Sequence, residues 1–328
     1  MGNVRRPRHG SMQYWPRVRA RRSYPRVRSW VSAKEAKLLG FAGYKIGMTH
    51  LLLTDNRPNS KTKGQDISCP ATVVECPPLK MVSIRFYKRD AYGSRVATEV
   101  FTNKVDKDLQ RTLPVPKKDT TQKLSQINPK DYDTVTVLLH TQPRLTALGK
   151  KKPEIFEMAL GGSVEEKFAY AKENLGKEVK VEDILKEGQQ VDIHAVTKGK
   201  GFQGPVKRFG VTLRSHKSEK TKRGPGSLGA WCGQGHIMYR VAHAGKMGYH
   251  TRTEYNKWLL KITNDSSKIN PSGGFMRLGN VKSSYVLVKG SIPGPSKRLI
   301  RFTAPIRENK GIPKDAPAIQ YISVESHQ

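Results

Sequence analysis

The sequence predicts a mainly β fold, a barrel or sandwich, carrying one helical insertion and two basic extensions. Three observations predict it. Nine short segments rich in Val, Ile and Tyr, each bounded by Pro, Gly or Asn turns, recur between residues 42 and 303. Helical periodicity is confined to one stretch, which favours a barrel or sandwich over a doubly wound α/β sheet. The 328 residues hold 60 Lys and Arg against 27 Asp and Glu, a formal charge of +33, and the excess is concentrated in two segments without apolar periodicity. Length alone suggests roughly two domains, at ~100–200 residues each. The 36% of hydrophobic residues can fill one core but cannot bury the whole chain.

The elements follow in order. Residues 1–30 hold nine arginines and no acid, with Pro7, Pro16 and Pro25 blocking helix and ladder formation and Tyr14, Trp15, Tyr24 and Trp30 interleaved. Such a segment reads as an extended arm that orders only on its partner. Strands are expected at Ala42–Leu53, Ala71–Cys76, Met81–Lys88, Arg95–Phe101 and Thr134–His140. Residues 150–190 are nearly neutral and read as a solvated helical insert. There Ser163-x-x-Glu166 forms a capping box, Val164, Phe168, Ala171 and Leu175 share a helical face, and Gly176 closes it. A second short helix is expected over Val181–Lys186. Strands resume at Gln190–Thr197, Leu259–Thr263, Ser284–Lys289 and Leu299–Thr303. Between them, residues 198–261 carry 14 Lys or Arg against Glu219 and Glu254, with eleven glycines from 199 to 248. A coreless loop of that length inside a domain is a functional feature, and its glycines let backbone approach a partner closely.

A charge of +33 is self-repelling in an isolated compact state and calls for a polyanion, nucleic acid before an anionic membrane. Neither basic zone forms an amphipathic helix, which weakens the membrane alternative. No run reaches the ~18–20 apolar residues of a membrane span, and no apolar stretch follows the basic N-terminus as in a secretory signal. Cys69, Cys76 and Cys232 are an odd number without a CxxC pair, which argues for a reducing compartment.

Three catalytic or cofactor readings fail on spacing. Gly199-Lys200-Gly201-Phe202-Gln203-Gly204 satisfies GxGxxG after a strand, yet Pro205 follows at once and no helical pattern continues through Gly210 and Val211. A glycine-rich turn whose amides and lysines approach phosphate fits better. His236, His243 and His250 recur every seven residues, and Cys232-x-x-x-His236 is half a metal site without a second half. The same pair lacks an acidic orienting group for nucleophilic chemistry. The sequence therefore implies no cofactor, no metal and no enzyme activity. Trp231 lies among small residues in Gly229-Ala230-Trp231-Cys232-Gly233 and suits stacking or wedging in folded RNA, the alternative being local packing of the loop; Trp258, in Lys257-Trp258-Leu259-Leu260, reads as core. Arg17, Arg19, Arg21 and Arg22 have no acid among them, and their planar forks match phosphate.

Five motifs carry a family resemblance. They are Pro7-Arg8-His9-Gly10-Ser11, Gly43-Tyr44-Lys45-Ile46-Gly47-Met48-Thr49, Val196-Thr197-Lys198-Gly199-Lys200-Gly201-Phe202-Gln203-Gly204, the pair Gly235-His236-x-x-x-Arg240-Val241-Ala242-x-Ala244-Gly245 and Gly248-Tyr249-His250-Thr251-Arg252-Thr253, and Gly290-Ser291-Ile292-Pro293-Gly294-Pro295 followed by Lys297-Arg298. In this order they resemble the large-subunit ribosomal protein L-three family, in its archaeal and eukaryotic form. The resemblance implies a translation-protein-type β-barrel with a helical insertion, an N-terminal extension at 1–41 and a barrel domain at 42–328. Within that domain lie an α/β insertion at about 90–188 and the basic loop at about 198–257. It implies a non-catalytic protein, not a homo-oligomer and not membrane-bound, that sits in the cytoplasmic large subunit beside other ribosomal proteins and supports early assembly. Its loop, with Trp231 at the tip, would reach toward the peptidyl-transferase centre and influence A-site tRNA and elongation factors indirectly. Contacts to rRNA are expected from Arg5, Arg6, Arg8, His9, Arg17, Arg19, Arg21, Arg22, Lys45, Lys198, Lys200, Lys207, Arg208, Arg214, His216, Lys222, Arg223, Trp231, His236, Arg240, Lys246, His250, Arg252, Lys297 and Arg298. Cys232-Gly233 stands here where eukaryotic relatives have His-Pro.

Overall fold

A computed structural model describes residues 10–114, 120–217, 220–229 and 235–325. The expected contacts at Arg5, Arg6, Arg8, His9 and Trp231 lie outside the described residues. In chain order the elements are β1 (Gly40–Thr54), β2 (Asp66–Glu75), β3 (Leu79–Asp90), β4 (Gly93–Phe101), β5 (Thr134–His140), β6 (Ile155–Ala159), α1 (Val164–Asn174), β7 (Glu178–Val179), β8 (Gln190–Val196), β9 (Phe202–Gln203), α2 (Pro205–Phe209), β10 (Gly245–Lys246), β11 (Thr251–Thr263), β12 (Tyr285–Lys289), β13 (Leu299–Thr303) and β14 (Ile319–Ile322).

Six strands close a ring in the order β1, β13, β8, β11, β12, β2 and back to β1. Closure removes the open edges at which another chain could pair. The fifteen-residue β1 makes this possible. Its start, Gly40–Tyr44, pairs with β13, its body with β2, and Leu51–Leu53 with the added strand β14. The burial pattern follows: the first seven residues of β1 are buried throughout, and the outer part alternates.

The mainly β expectation and its helical insert are thus borne out. A second, five-stranded sheet runs β4-β3-β5-β6, with β7 on β3. Its inner residues, among them Met81, Ile84, Phe86, Val137 and Phe156, join the barrel's Phe41, Ile193, Val286 and Phe302 in one buried cluster. Each such side chain contributes about 1.5–3 kcal/mol by leaving water. α1 covers this sheet and starts as expected: Ser163 Oγ accepts from the Glu166 amide at 3.3 Å, and Glu166 Oε2 accepts from the Ser163 amide at 2.8 Å.

Three expectations need correction. Residues 181–186 form turns, not a helix; the buried Val181, Ile184 and Leu185 are placed by a loop whose Asp183 accepts from the Lys180 amide. The stretch at 150–190 read as a solvated helical insert also contributes β6, which alternates half-buried and buried residues. Finally, the arm orders partly on the protein itself. Val27 is buried, Tyr24 and Trp30 pack against the barrel core, and Arg26 and Arg28 point outward between them. Beneath them Arg301 is 2% exposed, donating to the carbonyls of Pro25 (3.2 Å) and Glu157 (2.6 Å) below the rings of Trp30 and Phe156. Burial lowers its pKa to about 10.

The chain divides into two units. One is Met1–Ser23 with Val196–Arg252; the other is Tyr24–Ala195 with Thr253–Gln328 and holds the barrel and second sheet.

Candidate nucleic-acid interface

The smaller unit collects nineteen Lys and Arg against one acid, Glu219, in residues 1–23 and 196–252. Its base is a two-residue ladder, Gly245 opposite Gln203 and Lys246 opposite Phe202. Backbone bonds continue it on both sides: Lys200 N to Met247 O, Met247 N to Gly201 O, and Thr197 N to His250 O, each 2.9 Å. Gly248 is required at this base. Its φ is +74°, and a Cβ there would lie 2.1 Å from the Lys198 carbonyl oxygen.

The GxGxxG segment leads into a one-turn helix where none was expected. Pro205 occupies its first position, which costs nothing because that N–H has no helical partner, and Gly210 takes the left-handed cap at φ +69°. Five residues of helix outside a βαβ unit do not make a dinucleotide site.

That helix presents Phe209, one of few buried apolar residues in this unit. Trp15 of the arm lies 5.6 Å from its ring centroid, the Arg17 guanidinium 4.3 Å and that of Arg208 5.1 Å. Arg208 also donates through Nε to the Lys246 carbonyl (3.1 Å) and through Nη1 to that of His243 (3.0 Å). Burial holds its pKa below the usual guanidinium value. His250 Nδ1 donates to the Val18 carbonyl at 2.8 Å, and the Ala20 amide donates to Tyr249 O at 2.8 Å. These contacts hold residues 10–20 of the arm against the base of the extension. Between them lies an open cleft of about 210 Å³, lined by Tyr14, Arg17, Arg19, His250 and Arg252. Arg252 stacks 4.6 Å from the Tyr14 ring.

The expected contact residues separate into two groups. Arg19, Arg21, Arg22, Lys198, Lys200, Lys207, Arg214, His216, Lys222, Arg223, His236, Arg240 and Lys246 are exposed. Arg17, Arg208, His250 and Arg252 are half-buried and bind other parts of the same unit. In the larger unit, Lys297 is exposed and Arg298 half-buried, whereas Lys45 is buried. The Lys45 ammonium donates to the carbonyls of Ile292 (2.7 Å) and Gly294 (3.0 Å), and its backbone pairs with Lys297 and Arg298. Two sequence motifs separated by some 240 residues are thereby joined. Trp258 is buried as expected, its indole N–H donating to Gly188 O at 2.9 Å.

Sequence reasoning did not single out the exposed apolar residues of the extension. Phe202, Leu213, Leu228, Ile237 and Tyr239 are all open to solvent, Phe202 to 73%. Their signal was the absence of apolar periodicity around them. Among the described residues no group of His, Cys, Asp and Glu could hold a metal ion, and no helix is long and apolar enough to cross a membrane.

Comparison with known proteins converges on one family. The profile described as "Ribosomal protein L3" matches residues 1–328. The "Large ribosomal subunit protein uL3" of Methanobrevibacter smithii is 48% identical over 331 residues, covering 98% of each chain. The proteins of the same name from Archaeoglobus fulgidus and Methanocaldococcus jannaschii are 46% and 44% identical, each aligned over at least 98% of both chains. With the family profile matching residues 1–328 and 98% of both chains covered in the Methanobrevibacter smithii comparison, this chain belongs to the ribosomal protein L3 family.

Proposed function

We propose that the protein is a non-catalytic constituent of the large ribosomal subunit in the cytoplasm, and that its smaller unit penetrates the rRNA. One observation carries the reading. The sequence of this unit holds nineteen cations against a single acid, and its described residues form almost no core and leave seven large apolar side chains in water. Such a surface is stable only against a polyanion that also offers apolar faces, and folded RNA offers both phosphates and bases. The exposed lysines and arginines neutralise phosphate. The cleft beside Tyr14 and Arg252 accepts an unstacked nucleotide. The buried core of the larger unit, with its attached sheet, forms the seat on the subunit surface, next to neighbouring ribosomal proteins.

In this reading the extension carries Trp231 toward the peptidyl-transferase centre and the A-site tRNA entry route. Contact at many phosphates supports early association with nascent large-subunit rRNA. Influence on tRNA and elongation factors is indirect, through the RNA that the tip props. The test is crosslinking from Trp231 and from residues 10–23 in native extract, with sequencing of the attached RNA. Crosslinks to large-subunit rRNA near the peptidyl-transferase region are expected. Crosslinks scattered over mRNA and tRNA would overturn the reading.

A further inference from the structure

The connection between β1 and β2 is built more firmly than a connector requires. We propose that this loop, residues 55–65, is a separate contact site for RNA phosphate, presented by Lys61 and Lys63 and positioned by Asp55. The proposal rests on RNA being the partner, and it concerns the barrel unit, outside both extensions.

Hairpin connections commonly need two to five residues, and longer exposed ones are mobile unless their own side chains pack them. This loop is packed from inside. Asp55 is 2% exposed. Its Oδ1 accepts from the Arg57 amide at 3.1 Å and from Arg57 Nε at 2.9 Å. Its Oδ2 accepts from Arg57 Nη2 at 2.8 Å and from Thr62 Oγ1 at 2.7 Å. The backbone closes around that carboxylate: Asp55 N donates to Gln65 O (3.0 Å), Gly64 N to Asp55 O (2.8 Å) and Gln65 N to Thr62 O (3.0 Å).

The outward face carries two lysines, and the exposed Asp66 that opens β2 beside them accepts from Thr54 Oγ1 at 2.8 Å. The one acid inside the loop is turned inward and neutralised by the Arg57 fork. Lys61 and Lys63 are exposed, beside Pro58, Asn59, Gly64 and Gln65, and the loop carries no exposed large apolar side chain. A protein partner's hot spot would want such an anchor; a phosphate does not. The surface continues onto the C-terminal segment, which Asn56 Nδ2 fastens through Asp315 O at 3.0 Å and Thr54 N through Ala318 O at 2.9 Å. That segment adds exposed Lys310 and Lys314, along with exposed Glu308 and Asp315. Holding the two loop ammoniums in place beforehand reduces the ordering entropy of binding.

The test uses the full chain and a large-subunit rRNA transcript, with affinity measured across salt. Lys61→Ala/Lys63→Ala is expected to reduce the slope of log K against log salt by about 1.5, at ~0.7–0.9 for each phosphate no longer neutralised. Thermal unfolding should stay unchanged. Asp55→Asn keeps both lysines and is expected to lower the same slope in part, with faster amide exchange at Gly64 and Gln65. A double alanine variant with wild-type slope overturns the proposal, as does one that binds RNA normally but fails to dock a neighbouring protein. Lys198→Ala/Lys200→Ala serves as the control. If it lowers the slope and the loop variant does not, this proposal alone fails; if neither does, the rRNA reading fails with it.

Discussion

Lys45 and Ile292, 247 positions apart, meet through a single ammonium-to-carbonyl hydrogen bond of 2.7 Å. The bond is buried, and burial pulls the Lys45 pKa below its usual value. The ammonium therefore acts as a clasp for the turn at 290–295. Lys45→Met leaves one buried and one half-buried carbonyl unsatisfied, those of Ile292 and Gly294, and is expected to cost about 2–3 kcal/mol. Urea unfolding followed by tryptophan emission measures it. A cost below about 0.5 kcal/mol, less than a typical net hydrogen bond, would place the ammonium in water instead.

His194 supplies a pH dependence. On β8 its Nδ1 lies 2.9 Å from Thr253 Oγ1 and its Nε2 3.0 Å from Thr303 Oγ1. Burial, and then the charge of Arg301, lower its pKa from 6.5 to about 4. Between those values the unfolded chain holds a proton that the folded chain refuses, so stability rises with pH there and falls on acidification. The full shift corresponds to roughly 3 kcal/mol, and partial exposure reduces it to about 2. His194→Gln is expected to flatten the stability profile between pH 6.5 and about 4. A profile as steep as wild type would assign the dependence to other groups.

Phe209 is the contact point of Trp15, Arg17 and Arg208. Phe209→Ala is expected to release residues 10–20, speeding tryptic cleavage after Arg17 and Arg19 several-fold. The barrel's urea midpoint should not move. An unchanged cleavage rate would mean that the His250 and Ala20 hydrogen bonds alone hold the arm.

Trp231→Ala is expected to leave the barrel folded and to alter A-site tRNA accommodation in mutant ribosomes. Stopped-flow accommodation kinetics decide it. Rates and tRNA affinity equal to wild type would remove Trp231 from any such role.

Much of the barrel and of the second sheet was legible because their strands are dense in Val, Ile and Leu and end near Pro or Gly. Thr134–His140 and Leu299–Thr303 are found at the expected residues. β14 was not legible: Ile319–Ile322 is four residues, half exposed, and owes its extended form to pairing with β1. The arm misled for a related reason. Val27 and Trp30 are sparse apolar points among arginines, and they dock through packing against a core built from distant strands and through the Arg301 guanidinium, 276 residues from Pro25. In the candidate interface, composition located the surface but could not sort its cations. Arg208 and Lys45 look like any other basic residue in sequence, yet each donates to two carbonyls of the fold.

The base of the extension has a bearing on how such proteins change over time. Thr197 and His250 are bonded across the neck, so fifty-odd residues leave and return through one narrow mouth. Loop closure cost grows only logarithmically with loop length, each doubling adding about 0.6 kcal/mol. Residues can therefore be gained or lost beyond the neck while β8 and β11 keep their register. The length of the extension is free to drift, and selection on the barrel does not oppose it.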